Sequence, residues 1–130
     1  MTNRPRPCTP ALTAGRLRKA QQFARAFAII MDVVDQPDEV ADACATLAVH
    51  AGIAAADVVC CRSLGHHHHG GAHVGAVSML AQVDPHLARH LRVLLDAKTL
   101  SGYGHDSLTL AGLRRCERAM AALIRAAVNS

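Results

Sequence analysis

An all-α chain, arranged as an up-and-down bundle of four to five antiparallel helices, is the expectation from three features of this sequence. Apolar residues recur three and four apart through five segments, and no segment alternates apolar and polar residues as a half-buried strand would. Breaks between segments carry helix stop and start signals such as Gly102, Gly104 and the pair Asp84-Pro85. Much of the apolar content is alanine, and only Phe23, Phe27 and Tyr103 are aromatic. Small side chains of that kind suit helices packed closely together. A chain of 130 residues makes one domain, and one of that size buries roughly two-thirds of its unfolded surface. Short connections favour antiparallel neighbours.

Residues 1–12 are basic, contain Pro5, Pro7 and Pro10, and are expected to be a disordered tail ahead of one bundle domain over 13–130. The first helix is predicted from about Thr13 to Val34, with Phe23, Phe27, Ile30 and Val34 on one stripe. Asp35 or Gln36 caps the second helix, Pro37 suits its first turn, and Asp38 and Glu39 favour its dipole. Its stripe reads Val40, Cys44, Leu47, Ala51, Ala54 and Val58, ending near Leu64, and Gly52 among alanines invites a close neighbour. A loop over Gly65 to Gly71 holds four consecutive histidines. A short third helix follows from about Ala72 to Val83, and Asp84 with Pro85 starts the fourth. Ser107 or Thr109 caps the fifth, which packs Leu113, Cys116, Met120, Leu123, Ile124 and Ala127.

Charge is segregated along the chain. Residues 1–25 hold six bases and no acids, residues 26–61 six acids and no Lys or Arg, and the last helix four arginines against Glu117. The five cysteines (Cys8, Cys44, Cys60, Cys61, Cys116) are odd in number and show no C-x-x-C spacing, so neither a disulfide framework nor a cysteine metal site is expected. The longest apolar run, Ala43 to Cys61, is interrupted by His50 and Asp57, and no leader-like segment opens the chain. A soluble cytoplasmic protein with no membrane partner is the resulting expectation.

Candidate chemistry centres on Lys98. Leu87, Leu91, Leu94 and Leu95 share a helical stripe, and Lys98 falls in the middle of it. Lysine is scarce here, two against twelve arginines. A cation on a core-facing stripe needs a partner or a wet cleft, or it snorkels to solvent from the bundle edge. Asp57, the one charged residue between Ile53 and Cys61, is the expected partner across the helix interface, with His73 as another. Such a pair either serves a site or only fixes helix register. Lys98 with Tyr103 and His105 offers a cation and a titratable base that could hold a phosphate and move a proton. His66, His67, His68, His69 and His73 form an imidazole cluster able to bind a transition metal, though flanking glycines give it no rigidity. Arg114, Arg118 and Arg125 line one face of the last helix, either as solvated surface or as a phosphate-binding stripe.

The segment Leu47 to Ala127 resembles the HEPN superfamily, in particular its small stand-alone actinobacterial members. The resemblance rests on Ala51-Gly52-Ile53-Ala54-Ala55-Ala56-Asp57, the Leu64-Gly65 turn and the His73 helix start. It continues through Leu94-Leu95-Asp96-Ala97-Lys98, Tyr103 and the alanine-rich last helix. It implies a helical bundle, commonly a homodimer, in prokaryotic defence, toxin–antitoxin or nucleotide-related settings. Catalytic members are metal-independent RNases with an Arg-x(4–6)-His motif in a dimer cleft. Here Lys98 and His105 have that spacing but lysine stands in place of arginine, losing the bidentate fork. Arg62 with His67, His68 or His69 also fits the pattern.

The leading expectation is therefore a HEPN-like bundle that binds a nucleotide, RNA or a protein partner such as an antitoxin, at a cluster of Asp57, Lys98, Tyr103, His73 and Arg62. It requires no cofactor and no strong catalysis. A metal-independent RNase using His105 and Lys98 is the alternative, and a structural homodimer or histidine-loop metal binder the third.

Overall fold

A computed structural model describes residues 4–70, 73–103 and 106–130, with the backbone alone at 4 and 100–103. It is an all-α bundle with one small ribbon: β1 (Arg4–Pro7), α1 (Pro10–Val33), a 3₁₀ turn (Pro37–Val40), α2 (Ala41–Leu64), β2 (His66–His69), α3 (His73–Val83), α4 (Pro85–Tyr103) and α5 (Leu110–Asn129).

The helix ends obey local chemistry. Thr9 caps α1 by accepting from the Leu12 amide at 3.1 Å, with Pro10 in the first turn. Gly65 ends α2 in the left-handed region, φ 80°, and its amide returns to the Cys61 carbonyl. The Asp84 carboxylate accepts from the His86 amide at 2.8 Å, and Thr109 caps α5 through the Gly112 amide at 3.0 Å.

α2 occupies the centre, with α1, α4 and α5 packed around it and α3 lying mainly against α4. Fourteen of its 24 residues are buried, on all sides rather than along one stripe. A helix that is apolar all round belongs inside. By length and composition Pro37–Leu64 would also pass as a membrane span, but 72% of its apolar window is covered by the bundle. Side-chain pairings fix the directions. Arg16 near the start of α1 meets Asp57 late in α2, so these helices are antiparallel. The Leu108 amide bonds the Asp42 carboxylate at one end of α2, and Arg62 at the other end reaches the Ala127 carbonyl, so α2 and α5 run parallel. Gly52 leaves no room for a side chain: a methyl group there would lie 2.2 Å from Leu94 Cδ1 and 3.2 Å from Leu123 Cδ1.

Two expectations are corrected at the N-terminus. Residues 4–7 are not part of a disordered tail: they pair antiparallel with His66–His69, which is thus a strand rather than a loop, and α1 begins at Pro10. Cys8 and Cys61 form a disulfide, against the expectation of none, while Cys44, Cys60 and Cys116 are free and buried. Spacing alone could not reveal a bond between cysteines brought together by the α1–α2 packing.

Candidate functional site

Two adjoining cavities lie where α1, α2, β2, α3 and α4 converge. The larger, about 600 Å³, is lined by Leu12, Arg16, Ile53, Asp57, Cys60, His67, His68, His69 and Leu91 among others. The smaller, about 140 Å³, is lined by Ile53, His68, Gly70, His73, Ala76, Leu95 and Lys98. Ile53, His68, Gly70 and Ala76 border both.

The wall residues reach the site by helical periodicity. Ile53, Asp57 and Cys60 stand three and four apart on α2 and Leu91, Leu95 and Lys98 likewise on α4, so each set faces one way. Helix α1 adds Leu12 and Arg16 from its first two turns.

Asp57 is held by Arg16, not by Lys98 as the sequence suggested. Arg16 Nε and Nη2 donate to Asp57 Oδ2 at 2.9 and 2.6 Å, with the two side chains 31% and 14% exposed. Both bonds end on one carboxylate oxygen, so Oδ1 accepts from no described residue. Burial pushes the Asp57 carboxyl above its ordinary range, and the charge and hydrogen bonds of Arg16, with His67 and His68 nearby, bring it only part of the way back. The sequence does carry a signal for Arg16: with Ala20, Phe23 and Phe27 it sits 4, 7 and 11 residues along one stripe, the pattern that singles out Lys98. Cys60, in the same wall, has its thiol pushed up to about 12 by burial and by Asp57, so it is a neutral apolar group and not a nucleophile.

Lys98 is half-buried in the wall of the smaller cavity, and no described carboxylate lies within ion-pair distance of it. His73 shares that cavity from the first turn of α3. Tyr103 ends α4, its side chain beyond what is described, and His105 lies outside the described residues. Arg62 lines neither cavity. It donates to the Ala127 carbonyl at 2.7 Å and to Ser130 Oγ at 3.0 Å, closing the C-terminus of α5.

The histidine strand is the polar wall. His67 Nδ1 lies 2.9 Å from the His68 carbonyl, which can only accept, so Nδ1 is the donor of that bond. His67 Nε2, His68 Nε2 and His66 Nδ1 are buried without partners. Among the described residues, no three His, Cys, Asp or Glu side chains converge as a metal ligand set. The arginine stripe of α5 is exposed, with Arg114 paired to Glu117 at 3.1 Å.

No family model matches the chain, and no curated protein is similar to it.

Proposed function

We propose that the chain is a HEPN-like helical bundle that binds a nucleotide, without strong catalysis, in the paired cavities around Asp57 and Lys98. The observation that carries this reading is that two neighbouring cavities share His68 and Ile53 in their walls, one lined by Asp57 and Arg16 and the other by Lys98. Asp57 Oδ1 is an acceptor for sugar hydroxyls or an amino group on a base, and the unpartnered Nε2 of His67 lies in the same cavity wall. Ile53, Ala76 and Leu91 give the flat part of such a ligand apolar contact. Lys98, with His73 and His68 beside it, suits a phosphate as a point charge. A volume near 600 Å³ is within the range of small-molecule sites.

Thermal unfolding in EDTA with a panel of nucleosides, nucleoside monophosphates and short RNAs tests this. A phosphate-bearing member should raise Tm, since a ligand at a hundred times its Kd stabilises by about 2.7 kcal/mol. A panel without any shift would overturn nucleotide binding. RNA cleavage in EDTA that disappears in His105→Ala would instead favour the RNase reading.

A further inference from the structure

The cavity wall formed by β2 has a single strand partner, and that partner is fastened at one point. β1 reads Arg-Pro-Arg-Pro, so only Arg4 and Arg6 have amides to donate, and Pro5 and Pro7 face His68 and His66 with none. A two-stranded ribbon of this length is marginal by itself. Directly after β1 comes Cys8, whose amide donates to the Gly65 carbonyl at 3.0 Å and whose sulfur is bonded to Cys61. Cys61 lies one helical turn beyond Asp57 and next to Cys60, both in the cavity wall. The clasp therefore sits beside the cavity and holds β1 onto the histidine strand.

We propose that the Cys8–Cys61 bond is a redox latch on the cavity: oxidised, it keeps β1 paired with β2 and the histidine wall closed; reduced, it releases β1 and opens that wall.

A dithiol reductant carries out the release. Its thiolate attacks the sulfur of Cys8, the more exposed residue of the pair (half-exposed, where Cys61 is only 7% exposed), forming a mixed disulfide and expelling the Cys61 thiolate. The second thiol of the reductant, as thiolate, attacks the reductant's own sulfur in that mixed disulfide. This closes the reductant's disulfide and frees Cys8. Two electrons pass to the cysteine pair, and the two protons lost by the dithiol are matched by two taken up by the thiolates.

The bundle does not depend on the latch. Thr9 caps α1 and Ala20 and Phe27 are buried against the core, contacts that do not involve Cys8 or β1. The change is thus confined to the N-terminal strand and the wall it covers, and it stands whether or not the cavity takes a nucleotide.

The test is diethyl pyrocarbonate modification of the full chain, read by peptide mass spectrometry at His66 to His68, with exposed His86 as internal reference. Three samples are compared: air-oxidised protein, the same protein after dithiothreitol, and Cys8→Ser. The latch predicts at least about fivefold faster modification of the strand in the second and third samples than in the first. His86 and the far-UV helical signal should not change. Equal rates in all three would overturn it, as would a failure of Cys8 and Cys61 to bond in the oxidised sample. Loss of helical signal on reduction would also overturn it, because the bond would then hold the bundle and not a strap.

Discussion

Arg16 and Asp57 join the first turns of α1 to the last turns of α2 through two hydrogen bonds onto one carboxylate oxygen, the shorter 2.6 Å. Because they are 41 residues apart in sequence, the pair fixes how two antiparallel helices register. It also leaves the second oxygen of Asp57 available to a ligand. A largely buried pair of this kind is more costly to break than to replace.

Removing either partner should therefore have unequal consequences. Arg16→Ala strands a carboxylate that is 14% exposed, whereas Asp57→Ala strands a guanidinium that is 31% exposed and can turn to water. Arg16→Ala should cost about 2–4 kcal/mol, below the upper end for fully buried pairs, and Asp57→Ala about half as much. Urea unfolding at pH 7 checks the order.

That loss should depend on pH in a defined direction. The folded carboxyl of Asp57 is raised above its ordinary 3.8, so its contribution is fully present below pH 3.8 and is lost as pH rises through the folded value. Without Arg16 the main pull downwards disappears and the carboxyl moves higher still. The deficit of Arg16→Ala relative to wild type should be smallest in acid and grow towards neutrality. A deficit that is constant from pH 3 to 7 would contradict the assignment.

The buried thiols predict alkaline sensitivity. Burial and Asp57 push the Cys60 thiol up to about 12 from its ordinary 9.0, so its stabilising contribution is present below pH 9 and lost between pH 9 and 12. The stability advantage of wild type over Cys60→Ala should fall by at most about 1.4 kcal/mol per pH unit in that window. Parallel stability curves for the two proteins would contradict it.

Glycine replacements should differ in sign. At Gly15 the added methyl group meets only Arg18 Nη2 at 3.6 Å, so Gly15→Ala should stabilise by about 0.5–1 kcal/mol through helix propensity. At Gly52 the same gain is set against a clash with the fully buried Leu94 and crowding by Leu123. Overpacking costs about 1–3 kcal/mol, so Gly52→Ala should be net destabilising in denaturant titration.

Arg62 serves the end of α5, not the cavities. Arg62→Ala should lower stability by about 1 kcal/mol, the scale of a part-exposed hydrogen bond. It should leave ligand affinity unaltered in a binding titration.

Much of the helical frame is legible in the sequence because it is local. Asp84-Pro85, Thr109 and Gly65 mark helix ends through bonds to residues two to four positions away, and the fold class is set by the apolar spacing. What escapes is non-local. The β1 strand is four residues long, half of them proline and none a strong strand former, and it pairs with histidines some sixty residues further on. Asp57 and Lys98 both stand out as charges on apolar helices, and both do line the paired cavities. The bond expected between them is absent because Arg16, a cation on a stripe of its own, reaches Asp57 instead. Alanine content likewise hides the centrality of α2, since a helix of small residues shows a stripe even when every face is covered.

The central claim, that Asp57 and Lys98 stand at two ends of one ligand site, is tested most directly by calorimetric titration in EDTA. Wild type, Asp57→Asn and Lys98→Gln would each be titrated with a nucleoside monophosphate that raises Tm, and with its parent nucleoside. Lys98→Gln should weaken the phosphate-bearing ligand about tenfold or more and leave the nucleoside unchanged, while Asp57→Asn should weaken both. Equal loss of both ligands in Lys98→Gln, or no loss in either variant, would contradict the account.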